Sequence, residues 1–393
     1  MPWEKSEPMD QRVEFCVKAV QGGNFRALCR EYGISAKTGY KWKERLLRDG
    51  INGLGEESRR PLSHPESLLE EELCEMIRLK YAHPMWGPRK IRELYLRRHG
   101  RAASESSFKR VLERSGLTQK RKRQAVTESG RLCFGRKAQQ SNDVWTVDFK
   151  GWWWNGTERC EPLSVRDEFS RYVLELRAVE NAKAQTVRKH FEWLFERHGL
   201  PQAIRSDNGS PFACSRSVYG LSRLSAWWVA LGIELERGRP GHPQDNGAHE
   251  RLHRDISQQL ESFGHSDQNT LDLWRQEFND QRPHEALGMR TPREVYQNSP
   301  RKYDGGIEDL DYGQLETRRV NKQGCISWCK QPLFVTCSLA GWSVGLKANE
   351  QQQLEVWFAK LLLGWIDPRV VNFVRADIAP KKIDAAKENK KAA

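Results

Sequence analysis

Apolar residues along the first fifty positions come in three short bursts at helical spacing. Val13, Phe15, Val17 and Ala19 make the first, which Gly22-Gly23 stops; Asn24 can cap a second that turns Ala27 and Leu28 inward. After Tyr32-Gly33-Ile34, Ser35 can cap a third helix running through Leu47. This is the spacing of two helices joined by a tight turn, the second of which would offer Ala36, Lys37, Thr38 and Lys41 to a DNA major groove. A plain helical hairpin has the same pattern, and Trp42 is core in either case. A turn-rich linker between Gly50 and Pro65 leads to a second helical unit. There the pattern predicts Leu68–Tyr81, a break at His83-Pro84, Pro88–Arg98 opened by a proline at its first position, and Ser104–Ser115 capped by Ser104.

From Val144 the period changes to that of strands. Val144–Phe149, Leu163–Val165 and Tyr172–Ala178 read as strands, with Asn155-Gly156 as a hairpin signal between the first two. A helix over Ala182–Arg197 buries Val187, Phe191, Trp193, Leu194 and Phe195, and a strand Ala203–Ser206 runs into Asp207-Asn208-Gly209. Three antiparallel strands, a helix and a fourth strand, in that order, resemble the start of a ribonuclease-H-like fold. A helix and strand over 225–235 follow, then a helix Asn246–Phe263 entered through Pro240-Gly-His-Pro243. Beyond residue 320 the pattern becomes short β runs, at 325–329, 333–337, 342–347, 353–358 and 361–366, as in a small all-β barrel or sandwich. The expected organisation is therefore a helix-turn-helix domain (1–50), a second helical DNA-binding unit (66–118), a basic linker (119–140), an α/β catalytic core (141–300), a small β-barrel domain (320–375) and a disordered Lys-rich tail (381–393).

Charge sharpens this division. The 393 residues carry 65 Lys+Arg and 52 Asp+Glu, a formal net charge of +13. Residues 1–140 hold 30 basic and 18 acidic side chains, 141–300 hold 20 and 23, and 301–393 hold 15 and 11, so nearly all of the excess lies in the first third. The densest stretch, 101–140, includes Lys120, Arg121, Lys122 and Arg123. A basic front end on a near-neutral body suits a polyanion partner, because Lys and Arg displace counterions condensed on phosphates. Composition excludes other classes. No run of about 18 apolar residues is present to span a membrane. The start, Met1-Pro-Trp-Glu-Lys-Ser-Glu, has no secretory apolar core, and nine cysteines without framework spacing fit reduced thiols in a cytoplasmic protein.

Three acidic residues stand out by position: Asp148 at the end of the first core strand, Asp207 just after the fourth, and Glu250 one turn into the helix behind the Pro/Gly-rich entry. Neighbouring first and fourth strands would project the two aspartates together. Carboxylate oxygens suit Mg²⁺, and two such ions about 3.5–4 Å apart can activate a nucleophile and stabilise the leaving oxygen of a phosphodiester.

Four ordered blocks then carry a family resemblance: Val144-Trp-Thr-Val-Asp-Phe149, Arg205-Ser-Asp-Asn-Gly-Ser-Pro-Phe212, the segment Pro240–Arg254 and the segment Phe278–Tyr296. Over roughly 140–300 the chain resembles bacterial insertion-sequence transposases with a retroviral-integrase-type core, and the helix-turn-helix front fits the same family. The resemblance implies a catalytic and metal-binding triad of Asp148, Asp207 and Glu250, and two Mg²⁺ ions for which Mn²⁺ can substitute. It also implies cleavage at the terminal inverted repeats of a mobile element and joining of the freed 3′-hydroxyl to target DNA. DNA and further copies of the chain would be the partners, with no membrane and no nucleotide cofactor, in a cytoplasmic, nucleoid-associated bacterial setting. Here 42 residues separate Asp207 from Glu250, several more than the family usually has; the extra length falls around Cys214–Leu224, which reads as a loop. Arg251 and Arg254 share the Glu250 helix and join Lys37, Thr38, Lys41 and Lys120–Arg123 as candidate DNA contacts.

Two other readings compete. His249-Glu250-Arg251-Leu252-His253 is a literal H-E-x-x-H, the pattern of a zinc metallopeptidase, with His265 or Glu277 as a third ligand. A non-catalytic DNA-binding regulator of the same architecture is the second. Cys325, Cys329 and Cys337 lack a paired zinc spacing and read as small buried residues of alternating strands.

Overall fold

A computed structural model describes residues 8–56, 67–118, 135–149, 151, 153–155, 158–179, 181–239, 247–260, 267–307, 309–367 and 372–377. Lys120–Arg123, Pro240–Asn246, His265, the Trp152–Trp154 side chains and the 381–393 tail fall outside the described residues or side chains. The chain divides into two compact units, Met1–Leu69 and Glu70–Ala393.

The first unit is three helices, α1 (Pro8–Gln21), α2 (Phe25–Glu31) and α3 (Ala36–Asp49), closed by a 3₁₀ turn at Gly50–Leu54. Asn24 Oδ1 accepts from Ala27 N at 3.1 Å and Ser35 Oγ from Thr38 N at 3.1 Å, so both predicted caps satisfy first-turn amides. Phe15, Cys16, Ala19, Cys29, Trp42 and Leu54 form the core. Gly39 lets α3 approach: a Cβ there would lie 2.7 Å from Cys29 Sγ and 2.9 Å from Phe15.

The second unit begins with α4 (Glu70–Ala82), α5 (Pro88–His99) and α6 (Glu105–Arg114), and these helices cluster with the body that follows them. His83 Nδ1 lies 3.0 Å from Glu277, Arg89 pairs with Glu285 at 3.2 Å, and Arg97 pairs with Glu294 at 2.9 Å.

The body is a five-stranded sheet of β1 (Val144–Phe149), β4 (Pro162–Asp167), β5 (Val173–Ala178), β6 (Ala203–Ser206) and β7 (Glu234–Arg237), in the order β5-β4-β1-β6-β7. A small hairpin of β2 (Trp153–Asn155) and β3 (Glu158–Cys160) stands apart from it. Strands β1, β4 and β5 pair antiparallel, whereas β1–β6 and β6–β7 pair parallel. Trp145 and Val147 of β1 with Leu163 and Val165 of β4 bury one face under α7 (Ala184–His198) and α8 (Arg223–Ala230), where Phe191, Phe195, Trp227 and Trp228 complete the core. The alternate positions Thr146, Asp148, Ser164 and Arg166 point to the other face. That side carries α9 (Gly247–Leu260) and α10 (Gln268–Gln276), packed on Val173 and Leu176 through Leu252, Ile256, Leu271 and Trp274. A π-turn (Glu277–Gln281) and a short helix α11 (Pro292–Val295) follow.

The last part is a sheet of β8 (Glu316–Arg319), β11 (Ser343–Ala348), β12 (Leu354–Phe358), β13 (Leu361–Asp367) and β14 (Asn372–Arg375), with a hairpin of β9 (Cys325–Trp328) and β10 (Gln331–Phe334) beside it. The fold class is thus helical helix-turn-helix elements, an α/β ribonuclease-H-like core and a small all-β C-terminal part. The cysteine expectation fails in detail. Cys329 occupies the β9–β10 turn at φ 48° and Cys337 opens a 3₁₀ turn, so both are exposed, while Cys325 is half-buried. Among the described residues no helix is long and apolar enough to cross a membrane.

Candidate active site

Strand polarity places the acidic residues. Parallel pairing of Val144–Thr146 with Ala203–Arg205 brings the C-terminal ends of β1 and β6 side by side, and those ends carry Asp148 and Asp207. Glu250 lies in the first turn of α9. Burial pushes the Asp148 carboxyl up to about 7, aided by the negative charges of Asp207 and Glu250. The three carboxylates therefore share one electrostatic site. Gly209 backs Asp207 closely; a Cβ there would lie 2.7 Å from Asp207 Oδ2. Asn208 Nδ2 donates to the Gly238 carbonyl at 2.6 Å and ties the turn to the end of β7.

Helix α9 is fixed on the sheet by the two histidines of the H-E-x-x-H pattern. His249 Nε2 lies 2.8 Å and His253 Nε2 2.9 Å from Ser164 Oγ, and His249 Nδ1 lies 2.9 Å from Thr146 Oγ1. The Ser164 hydroxyl donates to the Asp148 carbonyl at 3.0 Å. Complete burial holds His249 well below its ordinary pKa and hence neutral. Both of its nitrogens are engaged by hydroxyls, so the residue serves as a pin between α9 and β1. Glu277 is bonded to His83 and Gln259. Among the described residues no three carboxylate, imidazole or thiol side chains converge closely enough to cage an ion by themselves.

Asp167, also acidic and fully buried, has a different task. It accepts from Asn142 N at 2.7 Å, Ser170 N at 2.8 Å and Ser170 Oγ at 2.5 Å, shaping the β4–β5 turn. Arg251 and Arg254 are exposed on α9. Sequence reasoning missed a basic cluster beside them. Burial and the neighbouring Arg282 push Lys90 of α5 down to about 8, and burial with Arg166 and Arg251 nearby lowers Arg171. These residues are far apart in sequence, and no local pattern joins them. In the first unit Lys37 is exposed, the Thr38 hydroxyl lies 2.9 Å from Ser35 Oγ within the cap, and Lys41 lies over the Trp42 ring at 4.5 Å.

A mixed five-stranded sheet with helices on both faces is the architecture of a ribonuclease-H-like core. Two integrase core domain models match the chain, over 138–243 and 231–292, and helix-turn-helix and homeodomain-like models match 12–61 and 38–112. An uncharacterised protein of insertion element IS407 from Burkholderia multivorans is 26% identical over 58% of this chain and 82% of its own length. One of insertion element IS476 from Xanthomonas euvesicatoria is 24% identical over 63% of this chain and 71% of its own. Among solved structures, the catalytic core domain of BIV integrase is similar, at 25% identity and a TM-score of 0.32, over 39% of this chain and 93% of that one. The chain is thus similar to proteins of bacterial insertion elements, and its matches to helix-turn-helix models lie ahead of its matches to integrase core models.

Proposed function

We propose that the protein binds the terminal inverted repeats of a mobile element, cleaves DNA strands at its ends and joins the 3′-hydroxyls to target DNA. The observation that supports this reading is that the adjacent C-terminal ends of the parallel strands β1 and β6 carry Asp148 and Asp207, with the charge of Glu250 felt at Asp148 from α9. Three hard-oxygen donors, one of them raised to about 7 by burial and by the charges of the other two, form a donor set that fits divalent cations. Asp148 and Asp207 would hold two Mg²⁺ ions, or Mn²⁺ in their place, with Glu250 completing one of the two positions. Such ions, when bound, supply Lewis-acid activation of water or of a 3′-hydroxyl and stabilise the leaving oxygen.

The chain's own residues do the positioning. Ser164, His249 and Thr146 hold α9 against β1, fixing Glu250 relative to Asp148, and Gly209, with no Cβ, leaves the Asp207 carboxylate the room it occupies. Lys37, Thr38 and Lys41 of α3 would contact the element ends, with Thr38 also capping its helix. Lys120–Arg123, Arg251 and Arg254 would contact phosphates, and Lys90 and Arg171 extend that set. Domain roles follow the same order: end recognition by 1–50 and 66–118, a basic linker over 119–140, catalysis by 141–300 and DNA holding or assembly by 320–375. The working form would be a homo-oligomer on DNA in the bacterial cytoplasm, at the nucleoid.

Asp148→Asn, Asp207→Asn and Glu250→Gln are each expected to abolish Mg²⁺-dependent strand transfer in an oligonucleotide assay while leaving end binding nearly intact. Near-normal joining by any of the three would overturn the triad. Absence of strand transfer by the unmodified chain, with end binding retained, would favour the non-catalytic regulator.

A further inference from the structure

The extra length between Asp207 and Glu250 has a definite use in the fold. Residues Ala213–Leu221 leave the sheet, turn over through a 3₁₀ turn at Val218–Gly220 and return, closed by an Ala213–Leu221 bridge and a Cys214 N to Gly220 carbonyl bond of 2.9 Å. Their tip is inserted into the C-terminal β part. Val218 and Leu221 are buried in one cluster with Val335, Leu339, Val344 and Phe358. Ser338 Oγ donates to the Leu221 carbonyl at 2.6 Å, and Ser217 Oγ lies 2.7 Å from Thr336 Oγ1. From the far edge of that sheet, Arg375 Nη2 donates to the Ser217 carbonyl at 2.7 Å, and Asp377 accepts from Tyr219 N at 2.8 Å while pairing with Arg375 at 2.7 Å.

The same loop leads directly to the candidate active site. Ala213 N donates to the Gly209 carbonyl at 2.9 Å, two residues from Asp207. Phe212 is buried between Phe149, next to Asp148, at 5.5 Å and Trp228 at 6.2 Å. Arg237 Nη2 donates to the Phe212 carbonyl at 2.9 Å and reaches Ser225 Oγ at 3.1 Å, bracing the base of the insertion from β7. A continuous set of short contacts thus runs from Arg375 and Asp377 through Ser217 and Phe212 to the turn that presents Asp207.

We propose that the C-terminal β part is a positioning element of the catalytic site, clamping the Asp207 turn through the insertion Ala213–Leu221, with Arg375, Asp377 and Ser217 as its positioning residues. The inference rests on the reading of Asp207 as a metal-binding carboxylate. A β domain tethered only to hold DNA would need neither the buried Val218 and Leu221 nor side chains aimed at main-chain atoms of the catalytic loop.

The test uses the full chain with Arg375→Ala, Arg375→Lys and Ser217→Ala. Loss of a charge-assisted bond to a buried carbonyl is expected to speed hydrogen exchange of amides 207–221 by about 10-fold. It should also raise the Mg²⁺ concentration for half-maximal cleavage several-fold, with end binding unchanged. Arg375→Lys should recover part of both effects. Ser217→Ala keeps the carbonyl that Arg375 bonds but removes the hydroxyl contacts to Thr336 and Ser338, and should speed exchange of the same amides and raise the Mg²⁺ requirement to a smaller degree, so a fault confined to the β sheet of the Arg375 variants cannot mimic the result. Exchange of 207–221 and a Mg²⁺ requirement both at the unmodified level in Arg375→Ala and Ser217→Ala would overturn the proposal. If the unmodified chain lacks Mg²⁺-dependent cleavage, it is the function proposed above that fails. Faster exchange at 207–212 in the variants would still establish the mechanical link.

Discussion

Ser164→Ala is the sharpest test of how the site is built. The Ser164 hydroxyl donates to the Asp148 carbonyl at 3.0 Å, and its oxygen can accept from His249 Nε2 at 2.8 Å and His253 Nε2 at 2.9 Å. With that tautomer His249 Nδ1 remains an acceptor for the Thr146 hydroxyl at 2.9 Å. Alanine keeps the packing but leaves the buried His249 Nε2–H without its acceptor, a loss of about 1–3 kcal/mol. His253 is only half-buried and can turn to water, so its share is smaller, about 1 kcal/mol. The sum, about 2–4 kcal/mol, is a large part of the roughly 5–15 kcal/mol by which a domain is stable. Native-state hydrogen exchange of β1 and α9 reads this locally, which suits a chain of several domains. Their opening free energy should fall by that amount while α1–α3 are unchanged, and strand cleavage should fall more than end binding, because Glu250 is then held less firmly against Asp148. Unchanged exchange in β1 and α9 would refute the reasoning. A zinc-binding His249–His253 pair would instead require stoichiometric zinc in the purified protein.

Further outcomes follow from particular contacts. Gly209→Ala places a Cβ 2.7 Å from Asp207 Oδ2, and displacing that carboxylate should lower strand transfer by about 10-fold or more without weakening end binding, measured by band shift. Asp148→Asn should stabilise the metal-free chain. The carboxyl at about 7 in the fold lies above its unfolded value, so the destabilisation it causes grows as pH rises from about 4 to about 7 and reaches about 2–4 kcal/mol; calorimetry at pH 8 should show a higher melting temperature for the variant. His198 works in the opposite direction. Burial lowers it to about 4 from an ordinary 6.5, so the stability of its neutral form is full above about 6.5 and is lost as pH falls toward 4, up to about 3 kcal/mol; His198→Phe should flatten the acid limb of a stability-versus-pH curve.

The elements that position the site were legible because each depends on local rules. Alternation in Val144–Phe149, the caps Asn24, Ser35 and Ser104, and the Asp207-Asn208-Gly209 turn are set by neighbouring residues. The adjacency of the first and fourth core strands followed from the ribonuclease-H-like element order, and their parallel pairing is seen only in the structure. What stayed hidden depends on residues distant in sequence. Ser164 looks like any strand serine until α9 is laid over it. The stretch Cys214–Leu224 has the composition of a loop and is one, but its Val218 and Leu221 belong to the core of a domain more than a hundred residues away. Lys90 comes near Arg282 only because α5 lies against the segment 285–294 through Arg89–Glu285 and Arg97–Glu294, and strand alternation stops at Cys329, in the hairpin turn at 329–330, and at Cys337, which opens a 3₁₀ turn.

These placements share an electrostatic logic. Three carboxylates that repel one another cannot drive their own assembly, so the framework around them must supply both the position and the stability. The groups that hold them are mainly neutral: the Ser164 and Thr146 hydroxyls, an imidazole kept uncharged by burial, a glycine, and the aromatic stack of Phe149 and Phe212. Arginines close by are turned to other uses, Arg205 to Glu236 at 2.7 Å, Arg282 to Asp255 at 2.7 Å and Arg237 to main-chain carbonyls. A guanidinium pairing with Asp148 or Asp207 would compete with a divalent cation for the same oxygens and bring the Asp148 carboxyl back toward its ordinary pKa. Burial, with the charges of Asp207 and Glu250 beside it, thus holds Asp148 at about 7 in the folded chain, a cost that a bound cation would relieve.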